Sequence, residues 1–101
     1  MRKNLFRKIS QHQRAVDGHG VLIDEKNGLI YRLTVTWDGW CRVAQNNFNV
    51  AQNMVLGYAV QTWDYKTPEE AVTFFEEIKK QPEITWRQDD RIFYDPTPKE
   101  V

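Results

Sequence analysis

The chain has 101 residues, 41% hydrophobic and 28% charged, with no formal net charge, which is long enough for one core and too short for two. That composition excludes an intrinsically disordered chain, and no apolar run approaches the roughly 20 residues that span a bilayer. A single cysteine, Cys41, excludes an internal disulfide and a cysteine-based zinc site. A single domain over residues 1–101 is expected, placed in the cytoplasm because the basic N-terminus lacks the apolar stretch of a signal peptide.

In chain order, Leu5, Phe6, Ile9 and Val16 recur at near-helical spacing, which predicts a short N-terminal helix opened by Asn4. This segment, residues 1–16, carries Arg2, Lys3, Arg7, Lys8 and Arg14 without an acid, whereas residues 67–101 carry nine acids against five bases. Asp17-Gly18-His19-Gly20 reads as a hinge. Residues 21–24 and 29–37 then read as strands around Glu25-Lys26-Asn27-Gly28. A three-residue loop with Gly28 left-handed would pair Ile23 with Tyr31 and Val21 with Leu33. That register collects the apolar set on one face and is expected over the one a two-residue Asn-Gly turn would give. Asp38-Gly39 predicts a type I′ turn with Trp37 facing Trp40, followed by a partner strand from Trp40 to about Gln45.

From Gln45 to Asn53 the chain is rich in uncharged amides and reads as a long loop or irregular hairpin tip, before strand character resumes over residues 55–63. Thr67-Pro68-Glu69-Glu70 predicts a helix start, with Thr67 capping, Pro68 at the first position and Glu70 closing the capping box. Ala71, Phe74, Phe75 and Ile78 supply one apolar face, and Pro82 ends the helix. Residues 84–87 and 91–94 form an expected closing hairpin, and residues 96–101 a frayed polar tail. The fold class is therefore α+β: an antiparallel sheet of about four to six strands packed by one main C-terminal helix, with a short N-terminal helix.

Catalytic chemistry has little to work with. Gly18-His19-Gly20 opens a strand where a phosphate loop opens a helix. His12, Asp17 and His19 match no rigid metal-ligand spacing, and Cys41 lies in a strand without a helix N-terminus to activate it. No enzyme activity, cofactor or metal is expected.

Binding surfaces are the better prospect. The expected function is a small protein-binding module of the inhibitor, immunity, adaptor or accessory-subunit type. Its contacts are Asn47, Phe48 and Asn49 in the amide-rich loop together with exposed rings at Trp63 and Tyr65. The alternative is a nucleic-acid-binding domain, with Arg2, Lys3, Arg7 and Lys8 on the phosphates and Arg32 and Arg42 on an aromatic sheet face. No membrane partner is expected, and an edge strand could pair two copies as a homodimer.

Overall fold

The structure, a computed structural model, describes residues 2–95, with side chains from Asn4 onward; the expected tail at 96–101 lies outside the described residues. Its elements in order are helix α1 (Arg2–Val16), strands β1 (Val21–Asp24), β2 (Leu29–Val35), β3 (Cys41–Asn49) and β4 (Met54–Tyr65), helix α2 (Pro68–Lys79) and strand β5 (Ile84–Arg87). A 3-10 turn (Asp89–Arg91) and strand β6 (Phe93–Tyr94) complete the chain. The fold is α+β, with two helices and a six-stranded sheet of order β5-β1-β2-β3-β4-β6. The sheet is antiparallel except where β4 and β6 run parallel, a correction to the all-antiparallel expectation.

β5 and β6 occupy opposite edges, yet only residues 88–92 join them. The six Cα steps from Arg87 to Phe93 reach at most about 22 Å when extended, while five gaps in a flat sheet need about 24 Å. The 3-10 turn shortens the reach further, so the sheet has to curl. Its inner face encloses Val21, Ile23, Ile30, Phe48, Val55 and, from the linker itself, Ile92.

The outer face receives α2. Thr67 caps that helix as the sequence predicts, its Oγ1 accepting the Glu70 N–H at 3.3 Å while donating to the Glu70 carboxylate at 2.9 Å. Ala71, Phe75 and Ile78 then pack on Leu22, Cys41 and Val43. Burying Phe75 completely contributes about 1.5–3 kcal/mol. α1 is the longer helix, 15 residues against 12. It lies beside α2, Ala15 and His19 lining a shared crevice with Pro68 and Val72. Its predicted start at Asn4 moves to Arg2.

Burial on both faces changes the first hairpin. β1 pairs with β2 so that Val21 faces Arg32 and Ile23 faces Ile30, around the four-residue loop 25–28, in neither of the registers weighed from the sequence. All four β1 residues are buried. Leu22 packs outward under α2 while Val21 and Ile23 pack inward, so gathering the apolar residues on one face no longer decides the pairing. The Asp24 carboxylate closes the loop by accepting the Asn27 N–H and its Nδ2.

The next turn is also corrected. Val35 faces Cys41 across the ladder, and Thr36 bonds Trp40 through its N–H to the Trp40 carbonyl at 2.8 Å. Only Gly39 in this turn has positive φ, at +89°, and its N–H donates to the Thr36 carbonyl. This is a three-residue loop with one left-handed residue, and Trp37 does not face Trp40.

The largest revision is the amide-rich segment. β3 continues through it to Asn49, and β4 runs on to Tyr65. Between the Gln45–Gln61 and Asn47–Leu56 pairs the register shifts, leaving Asn46 opposite residues 57–60. The amides occupy positions where strands meet irregularly. Buried Asn46 accepts from Arg32 Nη2 and donates to the Gly57 carbonyl, and Gln45 donates to the Tyr31 hydroxyl.

The hinge supports a comparison of two glycines. Gly18 (φ +84°) has nothing within 4 Å of where a Cβ would stand, whereas a Cβ on Gly20 (φ +74°) would overlap the Arg87 carbonyl oxygen and the Trp86 ring. Gly18→Ala should cost about 1–2 kcal/mol from backbone strain, and Gly20→Ala about 1–3 kcal/mol more from overpacking. Urea unfolding of both variants checks this; equal midpoints would mean that β5 yields at no cost.

Candidate functional site

The lone thiol is the first group to test for chemistry, because an imidazole stands beside it. Cys41 Sγ lies 3.3 Å from His12 Nδ1, which is also 3.0 Å from the Gly39 carbonyl oxygen. Cys41 is completely buried. Burial pushes its pKa up, the Glu69 charge adds to that, and the Lys8 charge opposes it. A protonated, enclosed thiol is a packing group and a poor nucleophile. No cluster of three potential metal ligands occurs among the described residues.

Curling of the sheet moves other residues away from the surface. Phe48 is 4% exposed and belongs to the inner core, so it cannot anchor a partner; this corrects the exposed-loop expectation. Asn47 is exposed on β3, and Asn49 bonds Gln52 in the following turn. Among the described residues, α1 and α2 pack on the outer face of the sheet, and the inner face carries the buried cluster around Val21, Ile23, Ile30 and Phe48. Arg32 points inward with Arg87, the two flanking Val21 across the strands. Each guanidinium donates to one amide, Arg32 to Asn46 and Arg87 to Asn53, and lies against one ring, Tyr94 and Phe48 respectively. Both Nε atoms are buried without a hydrogen-bond partner. Arg42 forms a two-bonded pair with Asp64 at 2.6 and 2.9 Å, which holds the Asp64 carboxyl below the usual carboxylate range. Arg7 and Lys8 are exposed on α1, to which Arg2 and Lys3 also belong.

A cleft of about 620 Å³ opens where β1 ends before β2 does. Arg32 and Tyr94 line it with Trp86, Asp17, Asp89 and Asp90. The Tyr94 hydroxyl donates to Asp89 at 2.6 Å. Desolvation of that hydroxyl, with the hydrogen bond and charge of Asp89, pushes the Tyr94 pKa up to about 12. The acidic rim makes this cleft unsuited to a phosphate backbone.

Trp63 and Tyr65, singled out from the sequence, come together with a residue it did not select for binding. Phe74 of α2 packs on both, with ring centroids 5.0 Å from Trp63 and 6.0 Å from Tyr65. Tyr65 and Phe74 line a groove of about 450 Å³ rimmed by Glu69, Glu70, Thr73 and Glu77. Tyr65 also ends β4, whose outer edge pairs with β6 only at Met54 and Val55. Over residues 57–65, that edge has no strand partner among the described residues. Its sequence, Gly-Tyr-Ala-Val-Gln-Thr-Trp-Asp-Tyr, contains no proline or lysine, and Tyr58 and Val60 are 72% and 56% exposed. Edge strands are ordinarily protected by such residues or covered.

Searches against protein-family models, curated proteins and solved structures find no match to this chain. No helix among the described residues is long and apolar enough to cross a membrane.

Two measurements probe these environments. Cys41 should react with a thiol reagent far more slowly in the native protein than in denaturant; equal rates would show an open thiol. Tyr94 should ionise near pH 12 in a tyrosinate absorbance titration, and Tyr94→Phe should remove that step. The raised pKa has a defined sign for stability. The contribution is complete below about pH 10 and is lost as pH rises through the folded value of about 12.

Proposed function

We propose that this chain is a non-enzymatic protein-binding module that receives an extended segment of a partner protein along the outer edge of β4. The observation that carries the reading is the β4 edge at residues 57–65, which has no strand partner among the described residues and is continuous at Tyr65 with the Tyr65–Phe74 groove. An added strand would pair with the free backbone groups of β4, and its side chains would supply specificity. The groove favours an apolar side chain over Phe74 and a basic one toward Glu69, Glu70 and Glu77. Glu77 is already paired with Lys80, and the Glu70 carboxylate accepts from the Thr67 hydroxyl, which leaves Glu69 the freest of the three. The enclosed, protonated Cys41 supports a non-catalytic reading and fits a reducing compartment.

Val60→Lys tests the proposal at small cost to the fold, since Val60 is more than half exposed and a lysine on an edge disfavours strand addition. Matched captures with wild-type and Val60→Lys protein, both nuclease-treated, should differ by a stoichiometric partner that only the wild type retains. Sedimentation of the wild type as a dimer that Val60→Lys dissociates would identify the added strand as a second copy of this chain. Identical captures together with a monomeric wild type would remove the edge as the binding surface.

A further inference from the structure

The turn between β2 and β3 exposes a tryptophan while being held more firmly than an ordinary loop tip. Trp37 is 85% exposed and Trp40 36%. Thr36 fastens the turn four ways: its N–H donates to the Trp40 carbonyl, its carbonyl accepts the Gly39 N–H, its Oγ1 accepts the Trp40 N–H at 3.0 Å, and its hydroxyl donates to Asp38. α1 clamps the turn from below. His12 Nδ1 meets the Gly39 carbonyl, and the Leu5 and Lys8 side chains approach Gly39 so closely that an added Cβ would stand 3.2 Å from Leu5 Cδ1. Gly39 is buried while Trp37 stands in solvent two residues away. An indole so placed loses little further freedom on binding.

Three cations stand beside these rings. Lys66 Nζ lies 6.0 Å from the Trp40 ring centroid, Lys8 runs along Gly39, and Arg7 adjoins Lys8 on α1. None of these three cations forms an ion pair among the described residues, whose salt bridges are Arg42–Asp64, Lys79–Glu76 and Lys80–Glu77. Two acids share the surroundings of the rings: Asp64, which is paired with Arg42, and Asp38, whose carboxylate accepts from the Thr36 hydroxyl.

We infer that this tip binds single-stranded nucleic acid, with bases stacking on Trp37 and Trp40 and phosphates meeting Lys8, Arg7 and Lys66. Stacking on an aromatic ring tolerates any base, so the site needs no base-reading motif. A protein partner fits less well, since interface centres are depleted of charge and here unpaired cations surround the rings. An anionic bilayer also fits less well. α1 turns Leu5, Ile9 and Val16 toward the fold and leaves only Phe6 strongly exposed, too little apolar surface to insert. The inference stands apart from the β4-edge reading and does not depend on it.

Fluorescence anisotropy of a labelled oligothymidylate, titrated with the full chain over a series of salt concentrations, tests it. Binding should weaken steeply as salt rises. Trp37→Ala should weaken it by about tenfold, the scale of one lost stacking contact, with circular dichroism unchanged because the ring is solvent-exposed. Lys8→Glu and Lys66→Glu should each reduce affinity and flatten the salt dependence, while Val60→Lys should leave it intact. No binding at low salt, or binding indifferent to Trp37→Ala, would overturn the inference. So would attachment to phosphatidylserine vesicles that the oligothymidylate fails to displace.

Discussion

The tie between β5 and β6 governs this molecule. Two strands on opposite edges of a six-stranded sheet are joined through residues 88–92, and a flat sheet is wider than that connection reaches. Curvature follows, and with it an inner core distinct from the one beneath α2. The linker contributes Ile92 to the core it encloses. Because β6 is two residues long, it pairs only with the first part of the β4 edge, and residues 57–65 have no strand partner there among the described residues.

The same curvature sorts the polar residues. Arg32 and Arg87 end up on the inner face, where aromatic rings and the amides of Asn46 and Asn53 meet them in place of carboxylate ion pairs. A guanidinium held this way keeps a desolvation cost that amides only partly offset, and each buried Nε still lacks a partner. These interior arginines therefore belong to the closure of the sheet. The exposed cations on α1 and Lys66 lie outside that closure.

Zero net charge conceals a division of the surface. The β2–β3 turn and α1 gather cations around Trp37 and Trp40, while the groove between β4 and α2 is rimmed by glutamates. The two regions meet at the end of β4, where Tyr65 lines the groove and the adjacent Lys66 lies over Trp40. A basic surface and an acidic one this close favour partners of opposite charge.

Local chemistry was legible in the sequence wherever it depends on near neighbours. The Thr67 cap and the apolar face of α2 stand as read, and so do the presence of both helices and the need for a left-handed Gly39, whereas the expected hairpin of residues 84–87 and 91–94 does not form, β5 pairing with β1 and β6 with β4. What needed the tertiary structure was everything that depends on which strands lie on which edge. The register of β1 on β2 follows from burial on both faces, which a one-faced alternation cannot foresee. The amides from Gln45 to Asn53 resemble a loop in composition, yet they serve a strand irregularity and two interior arginines that are remote in sequence. Trp63 and Tyr65, expected as exposed rings, are half-buried against the core beneath α2, and Phe48 was misplaced outward. Only the closure of the sheet decides that β4 is an edge and Phe48 is core, because it is set by distances between strands far apart along the chain.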